Sequence, residues 1–274
     1  MADRSPRHAA EAALIEQLRR AQRLHEDAAA NPILAGALVR LANWQAQRLA
    51  QTYADLSAQP RYADAIEFFK SDLYGDADGA RRDADAARVV PMMVMMLPER
   101  VIATIAQAME LNVLSHELDR LVLKALPRAD GGLSVADYCR AYRRAGNMPQ
   151  RQRQIFLIVE IGTALDSFVR KPFIRTALAM MRQPARLAGY GVLHDFLDRG
   201  FNAFYTMGGA DEFLDTIRGR ETAIHDAIAG GSNEPFPAAA ILNSAARMRA
   251  PALMSCVDSA QRSCVARRFV EPAG

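Results

Sequence analysis

The stretch Arg61-Tyr-Ala-Asp-Ala-Ile-Glu-Phe-Phe-Lys-Ser-Asp-Leu-Tyr-Gly75 decides the fold of this chain. At 100° per residue its apolar side chains fall on one stripe, which is the pattern of a helix that packs against a core. Gly75 stands where a helix needs a left-handed closing residue, and the polar residues after it predict a loop. We therefore expect an amphipathic helix over residues 61–74. Its buried stripe consists of Tyr62, Ala65, Ile66, Phe69 and Leu73.

Asp72 lies on the flank of this stripe, four residues after Phe68, so we expect it to be shielded from water. A buried carboxylate without a partner costs several kcal/mol, so the sequence predicts an arginine partner. With Asp83 and Asp85, the nearby arginines form a charged cluster, which we interpret as bidentate pairs that fasten a loop between two helices. The candidate partners are Arg81, Arg82 and Arg88 downstream, and Arg48 and Arg61 upstream.

Helical periodicity continues along most of the chain, and no stretch alternates convincingly as a strand does. Asn31-Pro32 and the Ser134/Asp137 pair are typical starts of helices. The sequence thus predicts an all-α fold, a multi-helix bundle of about ten helices with short connections. Besides residues 61–74, the predicted helices cover residues 5–29, 32–56, 81–90, 98–126, 134–144, 150–169, 172–182, 187–205 and 210–229, with Pro91 either kinking a helix or starting a new turn.

The composition changes near Gly230. A Gly-Gly-Ser-Asn-Glu-Pro-Phe-Pro segment follows, and the remainder is rich in Ala, Ser, Pro and Arg. Such a composition buries too little apolar surface to fold alone. We therefore predict a helical bundle domain over residues 1–230 and a disordered tail over residues 231–274, with a transient helix near residues 238–249.

Charge and cysteine usage limit the class of protein. The 274 residues carry a net charge of +3, which argues against a dedicated binder of nucleic acid, and arginine outnumbers lysine 31 to 3. Three scattered cysteines fit neither a disulfide framework nor a zinc motif. The longest apolar run, residues 89–98, is short of the ~20 residues that span a bilayer, and the amino terminus lacks the apolar core of a signal peptide. We predict a cytoplasmic protein without a membrane segment.

Three motifs resemble catalytic or metal sites. Gly208-Gly-Ala-Asp-Glu-Phe213 is close to the GGDEF signature of diguanylate cyclases, but an alanine interrupts it and helical spacing follows, so we expect two helix ends here. His116 begins an HExxH-like segment, but Arg120 stands where the second histidine ligand must be. His194 and Asp198, one helical turn apart, could share a metal or form an ion pair. The Glu-x-x-His pair of carboxylate-bridged metal centres does not occur in the sequence.

Phe68-Phe-Lys-Ser-Asp-Leu-Tyr74 resembles the defining motif of the bacterial FFLEELY-motif proteins, a family of helical proteins without an assigned activity. The likeness covers roughly residues 10–230, and it departs from the motif over Lys70-Ser-Asp72, where the motif has Leu, Glu and Glu. The resemblance implies a helical fold and supplies no catalytic residues. Flanking matches to the family pattern are Trp44-Gln45, residues 52–56, Arg61-Tyr62, Arg82-Asp83 and residues 196–221.

These observations favour a protein-interaction or regulatory module with a protein partner. One alternative is a helical-bundle enzyme that depends on a metal or cofactor, and a weaker one is nucleic-acid binding through the basic run Arg140–Arg153, which a solvated helix end explains equally well. The sequence leaves open whether the protein is an enzyme, which cofactor it takes and how many copies assemble. The predicted binding surface consists of Tyr53, Arg61, Phe68, Asp72, Tyr74, Arg82 and Asp83.

Overall fold

The computed structural model describes residues 6–74, 79–126 and 132–236. Within these ranges the chain forms eleven α-helices and one π-helical segment and no strand, which confirms the predicted all-α multi-helix bundle. The helices are α1 Pro6–Ala29, α2 Pro32–Thr52, α3 Ala54–Ser57, α4 Pro60–Phe68, the π segment Phe69–Tyr74, α5 Gly79–Met96, α6 Glu99–Ala125, α7 Val135–Ala145, α8 Met148–Val169, α9 Pro172–Leu187, α10 Gly191–Met207 and α11 Asp211–Ala229.

Two predicted helix starts carry the expected caps. Asn31 Oδ1 accepts a hydrogen bond from the Leu34 backbone N–H at 3.0 Å, before Pro32 opens α2. Ser134 Oγ accepts from the Asp137 N–H at 3.1 Å at the start of α7. Both contacts satisfy a backbone donor that has no partner within the first turn of a helix.

Several predicted helix bounds are wrong in detail; the helix predicted over residues 81–90, for example, continues through Pro91 to Met96. The second predicted helix is interrupted at Tyr53, which separates α2 from α3. The helix that was predicted to end before Pro184 continues to Leu187. A proline inside a helix leaves the carbonyl of residue i−4 without its donor. Because Pro184 and Met180 are both exposed on α9, water can reach that carbonyl.

The core has three clusters of buried side chains. One joins α4 to α8, α10 and α11, one joins α2, α6, α7 and α11, and one joins α1, α5 and α6. Tyr62, Ala65 and Ile66 are buried in the first cluster and Phe69 packs against it, as the stripe predicts. The side chain of Leu73 lies outside the described residues.

The folded body extends beyond α11. Phe236 is buried, with its ring centroid 6.2 Å from that of Trp44 and 5.6 Å from the Arg48 guanidinium carbon. The first residues after Gly230 therefore pack against α2. Residues 237–274, which include the transient helix predicted near 238–249, lie outside the described residues.

Candidate functional site

Asp72 forms the centre of a polar contact between the π segment Phe69–Tyr74 and α10. Arg199 Nε donates to both carboxylate oxygens, at 3.1 and 3.2 Å, and Arg199 Nη2 donates to Oδ1. Ser71 Oγ adds a hydrogen bond to Oδ2 at 2.8 Å. The carboxylate is buried and bound by an arginine, as predicted, but Arg199 was not among the predicted candidates. Of those candidates, Arg82 donates to the Asp72 backbone carbonyl at 3.3 Å.

Aromatic packing surrounds this contact. Phe68 lies 5.3 Å from Phe196 between ring centroids, and the Arg82 guanidinium lies 4.4 Å from the Phe196 centroid. A methyl group at Gly200 would come within 3.0 Å of the Phe68 ring, so α10 approaches α4 at a residue without a side chain. These contacts hold α4, α5 and α10 together.

Asp83 forms a second buried contact, between α1, α5 and α6. It accepts a hydrogen bond from Asn112 Nδ2 at 2.8 Å and lies 3.0 Å from His25 Nε2. Arg82 Nε is 3.6 Å from its other oxygen. Asp83 is only 5% exposed, so in this conformation these helix-joining contacts shield it from solvent.

Tyr53 and Arg61 contact α11 and the turn before it. The Tyr53 hydroxyl donates to Glu221 at 2.8 Å, and Arg48 donates to the same oxygen at 2.7 Å. Arg61 donates to the backbone carbonyls of Met207 at 2.7 Å and Gly209 at 3.0 Å. The predicted binding residues therefore form two groups, Tyr53 and Arg61 in one and Phe68, Asp72, Arg82 and Asp83 in the other, while the side chain of Tyr74 lies outside the described residues.

A polar network that the sequence analysis missed lies between α2, α6, α7, α8 and α11. Gln45 donates to Asp119 at 2.8 Å, and burial raises the pKa of Asp119 to about 6. Arg151 is 4% exposed, and its guanidinium lies 4.3 Å from the Tyr142 ring centroid. The Tyr142 hydroxyl contacts His225 Nδ1 at 2.8 Å. Among the described residues, Arg151 Nη2 also contacts the Leu118 carbonyl at 3.4 Å, while its buried Nε has no hydrogen-bond partner.

The GGDEF-like segment adopts the expected helix ends, and His194 and Asp198 each contact a different residue. Gly208 and Gly209 have positive φ after α10, and α11 begins at Asp211, so the GGDEF-like segment joins two helices. His194 Nε2 contacts the Leu178 carbonyl at 2.8 Å, while Asp198 accepts from Arg182 at 2.6 Å. Among residues 6–74, 79–126 and 132–236, no group of three or more His, Cys, Asp or Glu is placed to hold a metal ion.

The basic run of α7 and α8 is not one continuous cationic face. Arg151 is buried, and Arg153 donates to both Glu110 oxygens at 2.8 Å. Arg143 donates to the carbonyls of Ile228 and Ser232, at 3.2 and 2.8 Å. These arginines hold α8 against α6 and the end of α11 against α7.

A cavity of about 160 Å³ lies where the end of α8 meets the end of α10. Asp166, Arg170, Phe204, Tyr205 and Gly209 contribute to its wall. Arg170 donates to Asp166 Oδ2, but Asp166 Oδ1 is buried and has no hydrogen-bond partner among the described residues. The sequence analysis missed this site.

The outer surface of α9 is unusually apolar. None of its residues is buried, and Phe173, Met180 and Leu187 are 69%, 72% and 88% exposed. No described helix is long and apolar enough to cross a membrane, α9 included.

The fold and these sites define an all-α helical bundle. Buried ion pairs and aromatic contacts join its helices. A small cavity lies beside the exposed apolar helix α9. Residues 24–235 match the sequence profile of a domain of unknown function, DUF8198. Because this match covers most of the chain, the chain belongs to that family. No curated protein and no solved structure matches the chain.

Proposed function

We propose that the protein is an interaction module that binds an amphipathic helix of a partner protein on the exposed face of α9. The observation that carries the proposal is the exposure of Phe173, Met180 and Leu187 on that helix. Monomeric proteins rarely leave large contiguous apolar patches in contact with water, and such patches mark interaction sites.

The exposed side chains share one face. Phe173, Met180 and Leu187 are seven residues apart, so they lie on one stripe that runs about 21 Å along the helix. Ile174 and Leu178, which are partly buried, lie on another face about 120° away. One apolar face therefore remains for a partner.

The charged side chains of α9 lie away from the apolar stripe. The helix contains no acidic residue, and Arg175, Arg182 and Arg186 lie roughly 120–160° from the stripe around the helix axis. Arg182 and Arg186 are about half exposed although each pairs with an aspartate of α10. The stripe itself is therefore uncharged, and a partner helix with apolar residues at three- and four-residue spacing is complementary to it.

The methionines of α5 form a second exposed apolar surface. The Arg88 guanidinium lies 5.2 Å from the ring centroid of Tyr190, which follows α9, so α5 approaches the end of α9. Met92 lies one helical turn beyond Arg88, and Met95 and Met96 are 82% and 73% exposed. Flexible methionine side chains adapt to the shape of a bound helix.

Two finer assignments belong to the same proposal. Residues 68–74 support membership of the bacterial FFLEELY-motif proteins. A cytoplasmic location is supported by the three scattered cysteines, of which Cys139 is buried as a free thiol. The binding role of Tyr53, Arg61, Phe68, Asp72, Tyr74, Arg82 and Asp83 stays a prediction.

Photo-crosslinking in the source cell tests the proposal. A photoreactive amino acid replaces Met180 in the full-length protein, and in a matched control it replaces Val39, an apolar residue of α2 that is 60% exposed. We expect one dominant adduct with a different protein from position 180 and none from position 39.

Affinity measurements with the purified partner complete the test. Met180→Glu should raise the dissociation constant at least tenfold, because it places a carboxylate in the apolar contact, and Val39→Glu should leave it within about twofold. The proposal is wrong if both positions give the same adducts, if the adduct is a second copy of this chain, or if Met180→Glu binds as the wild type does.

A further inference from the structure

The end of α5 exposes a cluster of methionines. Four of the twelve methionines of the chain lie within five residues, in the stretch Met92-Met-Val-Met-Met96. Met92, Met95 and Met96 are 47%, 82% and 73% exposed. Methionine usually fills irregular gaps in a core. Among the described residues, these three side chains do not have that role.

The three exposed methionines share one face of the helix. Met92, Met95 and Met96 occupy positions i, i+3 and i+4, which places neighbouring Cβ atoms about 5–6 Å apart. A methionine side chain is unbranched and has three rotatable bonds. The three sulfur atoms can therefore converge on one point above this face.

The neighbouring helix α10 does not extend along this part of α5. The Arg82 guanidinium lies 4.4 Å from the ring centroid of Phe196. The Arg88 guanidinium lies 5.2 Å from that of Tyr190, directly before α10 begins. The two helices are therefore antiparallel here. Met92 and the residues after it lie beyond the start of α10, so that helix leaves them uncovered.

The surroundings of the methionine face suit a cation. The sequence from Val89 to Pro98 contains no charged residue. Met95 and Met96 belong to the last turn of α5, and the carbonyl end of a helix favours positive charge. Arg7 of α1 donates to the Val94 carbonyl in this turn, so one positive group is already accommodated at this end.

We propose that Met92, Met95 and Met96 together bind one soft monovalent cation of the Cu(I) class through their thioether sulfurs. Thioether sulfur is a soft, uncharged ligand that selects Cu(I), whereas Mg²⁺ and Ca²⁺ take oxygen ligands. The site uses neither carboxylate nor imidazole, and it is separate from the stripe of α9 that binds a partner helix in the proposed function.

Silver titration of the full-length protein, followed by NMR of methionine methyl groups labelled with ¹³C, tests the site. Ag(I) has the charge and the filled d shell of Cu(I) and resists oxidation. All proteins compared carry Cys256→Ser and Cys264→Ser, so that these thiols do not compete for silver. Burial raises the pKa of the Cys139 thiol to about 11, which keeps it protonated, and the thiolate is the form that binds metals.

The methyl signals identify which sulfurs bind. We expect those of Met92, Met95 and Met96 to shift together and to saturate at about one equivalent of Ag(I). Mg²⁺ should shift none of them. If Met180 and Met181 of α9 respond at the same silver concentrations, the shifts reflect exposure and an adventitious ion only, which overturns the site. The absence of any shift overturns it as well.

Leucine replacements separate a metal site from an apolar surface. Leucine keeps the volume, apolar character and helix propensity of methionine but has no sulfur. The triple variant Met92→Leu, Met95→Leu, Met96→Leu should raise the dissociation constant of Ag(I) about tenfold or more. The matched variant Met180→Leu, Met181→Leu should leave it within about twofold, because adjacent helical residues do not face each other. Equal affinity of the two variants overturns the metal site without affecting the proposal that α9 binds a partner.

Discussion

Asp72 and Asp166 are two buried carboxylates with different partners. Each binds an arginine that is about half exposed, Arg199 for Asp72 and Arg170 for Asp166. Arg199 comes from another helix and covers both oxygens of Asp72, with Ser71 as a further donor. Arg170 comes from the turn after Asp166 and leaves Oδ1 unpartnered beside a cavity.

The difference separates a contact between distant parts of the chain from a contact within one helix. A pair between distant parts of the chain holds two helices together and satisfies the buried charge. A pair within one helix adds only a few tenths of a kcal/mol, even when it is well formed. We therefore expect substitutions at Asp72 to reduce stability more than substitutions at Asp166.

Asp72→Ala should have the largest effect on stability. We expect a loss of about 1 to 3 kcal/mol in the free energy of unfolding, because Arg199 and Ser71 lose their acceptor while much of Arg199 remains in water. Urea denaturation measures the change, with Asp215→Ala as the control, since Asp215 is 69% exposed in its pair with Arg218. Equal midpoints for the two variants would show that Asp72 does not hold α10 in place.

The buried stripe of residues 61–74, and the position of Asp72 on its flank, could be predicted because both follow from the spacing of residues that are close together in the sequence. Tyr62, Ala65 and Ile66 repeat at helical spacing, and Asn31 and Ser134 are local capping signals. The arginine that binds Asp72 could not be predicted, because it is 127 residues away and is one of 31 arginines with the same chemistry.

The candidate sites depend on tertiary packing that no local pattern records. Asp166 and Arg170 are four residues apart, which is typical of an ordinary surface pair, and the cavity exists only because α10 and Gly209 approach them. The apolar face of α9 has helical spacing, but spacing alone cannot distinguish a buried face from an exposed one. The sequence around Asp119 in α6 likewise has no distinctive pattern, because its burial depends on Gln45 and on other residues that are distant in the sequence.

Asp119 is a third carboxylate that can be compared with Asp72 and Asp166. Its hydrogen-bond partner is Gln45, a neutral side chain. Burial raises its pKa from the ordinary value of 3.8 to about 6, so the folded state binds the proton more tightly than the unfolded chain does. Its contribution to stability therefore falls as the pH rises from about 4 to about 6. His116, three residues earlier, has the opposite effect, because burial lowers its pKa from 6.5 to about 4 and stability rises with pH from about 4 to about 6.5.

Single variants should separate these opposing contributions. Relative to the wild type, Asp119→Asn should gain stability between about pH 4 and pH 6.5 and His116→Gln should lose it, each by about 1 to 2 kcal/mol once partial solvent access is allowed for. Urea denaturation at the two pH values measures both differences. Slopes of the same sign for the two variants would contradict the assigned pKa directions.

Gly200 tests how tightly the Asp72 region is packed. In an exposed helix Gly→Ala stabilises by about 1 kcal/mol, and Gly219 of α11 meets nothing within 4 Å. Gly219→Ala should therefore raise the melting temperature. Gly200→Ala should lack this gain, because its methyl group would meet the Phe68 ring at 3.0 Å. Equal gains in thermal denaturation would mean that Phe68 moves aside freely.

Asp166→Asn should have the smallest effect on stability, less than about 0.5 kcal/mol, because it removes a local pair with a half-exposed arginine and also a buried charged oxygen that has no donor. The matched variant Asp72→Asn should cost clearly more, since one of the two oxygens that Arg199 Nε reaches becomes an amide nitrogen, which cannot accept. Urea denaturation of the two variants under the same conditions gives the difference directly. A loss at Asp166→Asn as large as that at Asp72→Asn would mean that both carboxylates stabilise the fold to the same extent, and that a contact within one helix matters as much as a contact between distant helices.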